Sequence, residues 1–122
     1  IFLHDRIIKD NDIKNLVFLE KLILPKNIII SNKGLLKLNK LTYLQLNLNK
    51  KITDVGLINK TNLETLILIH NKNITDNTFI NMVKIKYINT GYNNNRKLTF
   101  NFINNPNIKI IRYNNHYFNH SY

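Results

Sequence analysis

The sequence predicts an α/β solenoid: stacked units, each giving one short strand to a common sheet and one or two turns of α- or 3-10 helix to the opposite side. Three observations predict it. An apolar motif recurs every 22 residues, the recurrence extends to the segments between the motifs, and no unit carries enough apolar surface to fold alone.

The motif reads apolar, two residues, apolar, one residue, apolar, two residues, Asn. It occurs at Leu19, Leu22, Leu24, Asn27, again at Leu41, Leu44, Leu46, Asn49, and again at Leu63, Leu66, Leu68, Asn71. Looser copies follow at Ile85, Ile88, Thr90, Asn93 and at Ile108, Ile111, Tyr113, His116, so the steps are 22, 22, 22 and then 23. Between the motifs, Ile8, Ile30, Ile52 and Ile74 stand 22 apart, as do Ile13, Leu35, Leu57 and Phe79. The chain is one domain over residues 1–122, with units starting near 19, 41, 63, 85 and 108 and a partial first unit over 1–18. That partial unit, with Phe2 and Asp5 in the register of Leu24 and Asn27, predicts a fragment of a longer array with an uncapped amino end open to self-association. Tyr113, Tyr117, Phe118 and Tyr122 are expected to form an aromatic cap at the other end.

Each segment of a unit has a physical reading. Alternation over Leu44-Gln45-Leu46 and Leu66-Ile67-Leu68 predicts a short strand with one face inward. The Asn that follows can bond backbone groups of a tight turn and of the neighbouring unit, giving a structural ladder of Asn27, Asn49, Asn71 and Asn93. Thr and Asp after the buried Ile, in Ile52-Thr53-Asp54 and Ile74-Thr75-Asp76, suit the start of a short helix, with Ser31 in the same place one unit earlier.

These residues resemble a leucine-rich-repeat protein over about residues 8 to 116. The phrase Ile52-Thr53-Asp54-Val55-Gly56-Leu57, partly kept from Ile74 to Phe79, resembles the subtype found in F-box-associated leucine-rich repeats. The chain departs from that subtype in having Asn49 and Asn71 where Cys is usual, in its shorter repeats, and in lacking an F-box-like helical segment. The resemblance implies a curved parallel sheet on the concave side, short helices or 3-10 turns on the convex side, and recognition of a protein partner on the concave face. It further implies, for an F-box-type ubiquitin-ligase adaptor, the substrate-reading part. The absence of Cys leans towards a reducing, intracellular and cytoplasmic setting, because secreted members of the family usually close their ends with disulfides.

Strand register assigns the side chains of that face. One column is Lys21, Tyr43, Thr65, Tyr87, Ile110; the next is Ile23, Gln45, Ile67, Asn89, Arg112; the third is Pro25, Asn47, Ile69, Gly91, Asn114. Ile67 and Ile69 are apolar at positions expected to see solvent, flanked by Tyr43 and Tyr87 and ringed by polar residues. An apolar, aromatic centre with a polar rim has the anatomy of a protein interface. The partner-binding residues expected are therefore Tyr43, Gln45, Asn47, Thr65, Ile67, Ile69, Tyr87, Asn89 and Arg112. The competing reading is a structural array with no dedicated ligand, its Ile scattered on strands where β-branched residues pack well.

Composition limits the other classes. Asn, Ile and Lys number 24, 20 and 15 of 122 residues, and each can be encoded with A and T alone, so part of the +11 charge reflects an A/T-rich genome. Nucleic-acid binding would need Lys and Arg gathered on one face. In this register Lys33, Lys37, Lys40, Lys60 and Lys84 fall on the convex side and Lys50, Lys51, Lys72, Arg96 and Lys97 along a turn edge, which argues against it and leaves a basic nucleic-acid-associated scaffold as an alternative. With no Cys there is no disulfide, thiolate zinc site or thiol nucleophile. Apolar runs such as Ile28-Ile29-Ile30 are too short to span a bilayer. His116 and His120 lack a nearby carboxylate, and Asp10-Asn11-Asp12 lacks the spacing and distal Glu of a calcium loop. His70 reads as an exposed turn residue. No catalytic residue, metal or cofactor is expected.

Overall fold

A computed structural model describes residues 7–92, 98–100, 108–113 and 118–121, with side chains described through Gly91, at 98–100 and at 108–110. The chain runs α1 (Asp10–Ile13), β1 (Lys21–Ile23), α2 (Asn32–Leu35), β2 (Tyr43–Gln45), α3 (Asp54–Leu57), β3 (Thr65–Ile67), a 3-10 turn (Asp76–Phe79), β4 (Tyr87–Tyr92), β5 (Lys109–Tyr113) and β6 (Phe118–Ser121). The fold is α/β: β1 to β5 lie parallel in chain order, and β6 adds antiparallel beside β5. The expected aromatic cap falls in this region. Its side chains lie outside the described residues, and what is described there is the antiparallel pairing of β6 with β5.

Register follows the repeat. Lys21 pairs with Tyr43, Tyr43 with Thr65, and Thr65 with Tyr87, each a step of 22. The last pairing corrects the step of 23: Tyr87 lies opposite Lys109, Ile88 opposite Ile110 and Asn89 opposite Ile111. A bulge between Asn89 and Gly91 then sets Arg112 opposite Gly91. Gly91 has φ +59, the left-handed region that glycine reaches without a Cβ penalty, and this takes up the extra residue. Ile110, expected on the open face, is consequently buried, and Lys109 takes its exposed place.

Inward-facing side chains stack in rows: Leu22, Leu44, Leu66, Ile88 and Ile110 from the strands; Leu24, Leu46 and Leu68 after them; Ile30, Ile52 and Ile74 at the corner; Ile13, Leu35, Leu57 and Phe79 from the helical side. Full burial of such a side chain stabilises by about 1.5–3 kcal/mol relative to exposure. Phe79 also packs on Phe100, ring centroids 5.5 Å apart. One row breaks the pattern. Between buried Leu38 and Met82 stands Lys60, 2% exposed, its Nζ donating to the Leu35 carbonyl at 2.5 Å. The sequence placed Lys60 on the solvated convex side. The 22-residue step puts it in the core instead, and desolvation there pulls its ammonium down to about 8.

Two polar ladders join the units. At the corner, Asn27, Asn49 and Asn71 are fully buried. Each side-chain amide donates back to the preceding unit, Asn27 to Ile8 O at 2.7 Å, Asn49 to Ile30 O at 2.8 Å and Asn71 to Ile52 O at 2.9 Å. Each side-chain carbonyl accepts two backbone N–H groups of its own turn, as Asn49 does from Lys51 and Ile52 at 2.9 and 3.0 Å. These bonds hold a turn in which Leu48 and His70 take φ +64 and +69, conformations an L-residue adopts at a cost of about 1–2 kcal/mol. Asn93 lies outside the described residues.

The second ladder runs along the helical side. Asp10 accepts from Ser31 N and Oγ at 2.8 and 2.5 Å, Asp54 likewise from Thr75 at 2.7 and 2.5 Å, and Asp76 from Thr99 at 2.8 and 2.5 Å. Asn32 does the same work in neutral form, accepting from Thr53 N at 3.0 Å and donating to Thr53 Oγ1 at 2.7 Å. Ser31 and Thr75 also cap their own turns, accepting from Lys33 N at 3.4 Å and Asn77 N at 3.2 Å, but Thr53 makes no such bond. These residues thus tie units together more consistently than they cap helices. Successive turns approach closely here. A Cβ on Gly34 would sit 2.6 Å from Asp10 Oδ1, and one on Gly56 would run into Asn32. Thr78, the equivalent residue one unit on, turns the approach into a bond, its hydroxyl donating to Asp54 Oδ1 at 2.5 Å.

Candidate functional site

The strands are three residues long in β1 to β3, so each presents two side chains to the open side of the sheet and a third from the residue two places on. The first open column runs from exposed Lys21 through half-buried Tyr43, Thr65 and Tyr87 to exposed Lys109. The second is Ile23, Gln45, Ile67 and Asn89, all half-buried. The third is Pro25, Asn47 and Ile69, half-buried, ending at buried Gly91. At ~4.8 Å per strand, five parallel strands make a face roughly 19 Å across. The structure therefore brings together eight of the nine residues expected to bind a partner. For Arg112 it places only the backbone, opposite Gly91, and its side chain lies outside the described residues.

Between Lys21 and Lys109 these columns contain no Asp, Glu, Lys, Arg or His. Polar groups on the face bond mainly to one another. The Tyr43 hydroxyl donates to Gln45 Oε1 at 3.5 Å, Asn89 Nδ2 donates to the Tyr87 hydroxyl at 3.4 Å, and Asn89 Oδ1 accepts from Gly91 N at 2.9 Å. The two tyrosine bonds are long and weak, leaving each phenol able to re-aim. Asn47 Oδ1 is buried and accepts no hydrogen bond from the protein. Ile67 and Ile69, treated alike by the sequence, differ. A Cβ on Gly91 would lie 2.7 Å from Ile69 Cγ2, so Ile69 packs under the bulge while Ile67 stands nearer the centre of the face.

Beside the starts of the strands lies a hollow of about 450 Å³ lined by Phe18, Glu20, Lys40, Thr42, Asn62, Glu64 and Lys84. Its charges are internally balanced: Lys84 donates to Asn62 at 3.1 Å, and Glu64 accepts from Lys86 at 3.0 Å. The helical side exposes larger aliphatic groups than sequence reasoning assigned to it, with Val83 81%, Val55 66%, Ile80 60% and Leu36 53% exposed. Leu36 and Ile80 stand two repeats apart in register, the signal by which this column is legible in the sequence. Among the described residues no group of three or more His, Cys, Asp or Glu is placed to hold a metal ion, and no helix is long and apolar enough to cross a membrane. His70 is exposed in its turn, as expected.

No protein-family profile, curated protein or solved structure matches the chain.

Proposed function

We propose that the chain is a leucine-rich-repeat solenoid acting as a non-catalytic protein-recognition module, with the open face of the sheet as its concave binding surface. The observation that carries this reading is the face itself: an uncharged, aromatic and aliphatic centre at Tyr43, Ile67 and Tyr87, bordered by amide side chains, with Lys21 and Lys109 at its two ends. The same reading takes the module as the substrate-reading part of an F-box-type adaptor, acting in a reducing compartment. A structural array with no ligand is the alternative.

Two paired-substitution baits separate the faces. Ile67→Lys with Tyr87→Ala alters the sheet face, and Val55→Lys with Ile80→Lys alters the helical side. Proteins captured from a lysate by the wild type and by the helical-side variant, but lost from the sheet-face variant at unchanged melting temperature, support the module. Ubiquitin-ligase components among them favour the adaptor. Identical capture by all three baits sinks the reading and leaves the structural array.

A further inference from the structure

A second hollow, of about 410 Å³, opens on the helical side between the first units and is lined by Lys9, Asp10, Asn11, Lys14, Ile29, Ser31, Lys33 and Lys51. We propose that it binds a small oligophosphate, a ligand recognised by adjacent phosphate groups rather than by a base or other ring. Four lysines meet here, all exposed and drawn from three successive units, which the linear sequence presents as scattered charges. The one carboxylate among the described lining residues, Asp10, is already occupied, Oδ1 by Ser31 N and Oδ2 by Ser31 Oγ. The nearby Asp12 accepts from the Lys9 backbone at 2.7 Å. Lysine ammonium groups are compact, rotatable triple donors that bind phosphate as point charges. The hollow is within the usual size range of small-ligand sites. None of the described lining residues is aromatic, so they offer a base no stacking platform.

The repeat supplies its own control. Moving the eight lining positions forward by 22 residues leaves two lysines, Lys33 and Lys51, among Ser31, Asn32, Leu36, Thr53, Val55 and Asn73. Moving them forward again leaves none. Uniform genomic drift towards Lys would fill equivalent surface positions evenly. The balanced hollow beside the strands, with two lysines and two glutamates, makes the same contrast.

The test is calorimetric titration of the full chain with inorganic tripolyphosphate at low salt, repeated at raised salt, where screening weakens the binding. Lys14→Gln, Lys33→Gln and Lys51→Gln together are expected to weaken binding about tenfold or more. Lys37→Gln, Lys40→Gln and Lys84→Gln together, an equal change of net charge, should weaken it by less than about twofold. If the site triple variant melts early, Lys33→Gln alone replaces it, with a loss of about threefold expected. Equal losses in both sets would show diffuse charge and overturn the site, as would no saturable binding by the wild type. Binding of a single-stranded oligonucleotide without binding of tripolyphosphate would overturn it in favour of an extended polyanion track.

Discussion

The two ladders do the same job in different chemistry. At the corner the described rungs, Asn27, Asn49 and Asn71, are all Asn and sealed from water; on the helical side the rungs are Asp10, Asn32, Asp54 and Asp76, and they are half-buried. The corner needs one group that donates to the unit behind and accepts two N–H groups from its own turn, and an amide does both from separate atoms, Nδ2 and Oδ1. A carboxylate there would face a carbonyl oxygen with no proton to offer and would pay the full desolvation of a charge. On the helical side the partner is always a Ser or Thr with an N–H and a rotatable hydroxyl, so either an acceptor-only carboxylate or an amide fits. Solvent access and the partner's versatility decide which position tolerates substitution.

The largest break in this comparison is Asn49→Leu. It strips three bonds and leaves Ile30 O and Ile52 N buried, and Lys51 N half-buried, without them. A loss of about 3–5 kcal/mol is expected in urea denaturation. Next comes Lys60→Met, which extends the rule that sealed positions are neutral to the one position that violates it. The Met82 row shows that Met fits, and a gain of about 1–3 kcal/mol is expected. Because burial sets the folded Lys60 at about 8 against its ordinary value of 10.5, the unfolded chain binds more protons between those values and stability rises with pH there. The advantage of the Met variant should thus be full below pH 8 and shrink towards 10.5, read as converging melting temperatures. The smallest effect is Asp54→Asn. Asn32 already performs this role, so a loss of only about 0.5–1.5 kcal/mol is expected by the same denaturation, most of it from the Thr78 hydroxyl.

The corner ladder and the strands were legible because their residues repeat in identity: Leu, Leu and Asn at fixed spacing have one physical use. The helical-side ladder was half legible. Thr53, Thr75 and Ser31 were read as local caps, because an N-cap and a cross-unit tie call for the same residue types and only the three-dimensional stack distinguishes them. Lys60 was misread for a related reason, since its charge suggested solvent while its position, 22 residues from Leu38 and Met82, demanded the core. In the last two units the motif had weakened, to Ile85, Ile88 and Thr90 and then to Ile108, Ile111 and Tyr113, so aligning apolar residues gave a step of 23. The strands in fact pair at a step of 22 as far as Asn89 and Ile111, and past the bulge, invisible to periodicity, Gly91 and Arg112 pair at 21. Of the candidate site, the face was legible through period-two alternation. The separation of Ile67 from Ile69 and the open acceptor of Asn47 depend on packing that no spacing rule carries.

The corner ladder also has a sense of direction: each Asn reaches backward with its donors and holds its own turn with its acceptor. Unlike a self-complementary patch, such a rung joins the tail of one unit only to the head of the next. A change of chain length is therefore quantised. Gain or loss of a whole 22-residue unit leaves every remaining rung matched, whereas a slip of one residue inside a strand turns its leucines to water and its tyrosines to the core. For a gene this makes duplication of whole units the neutral path and single-codon insertion within a strand the disruptive one, except at a place like Gly91, where the backbone already carries one residue too many.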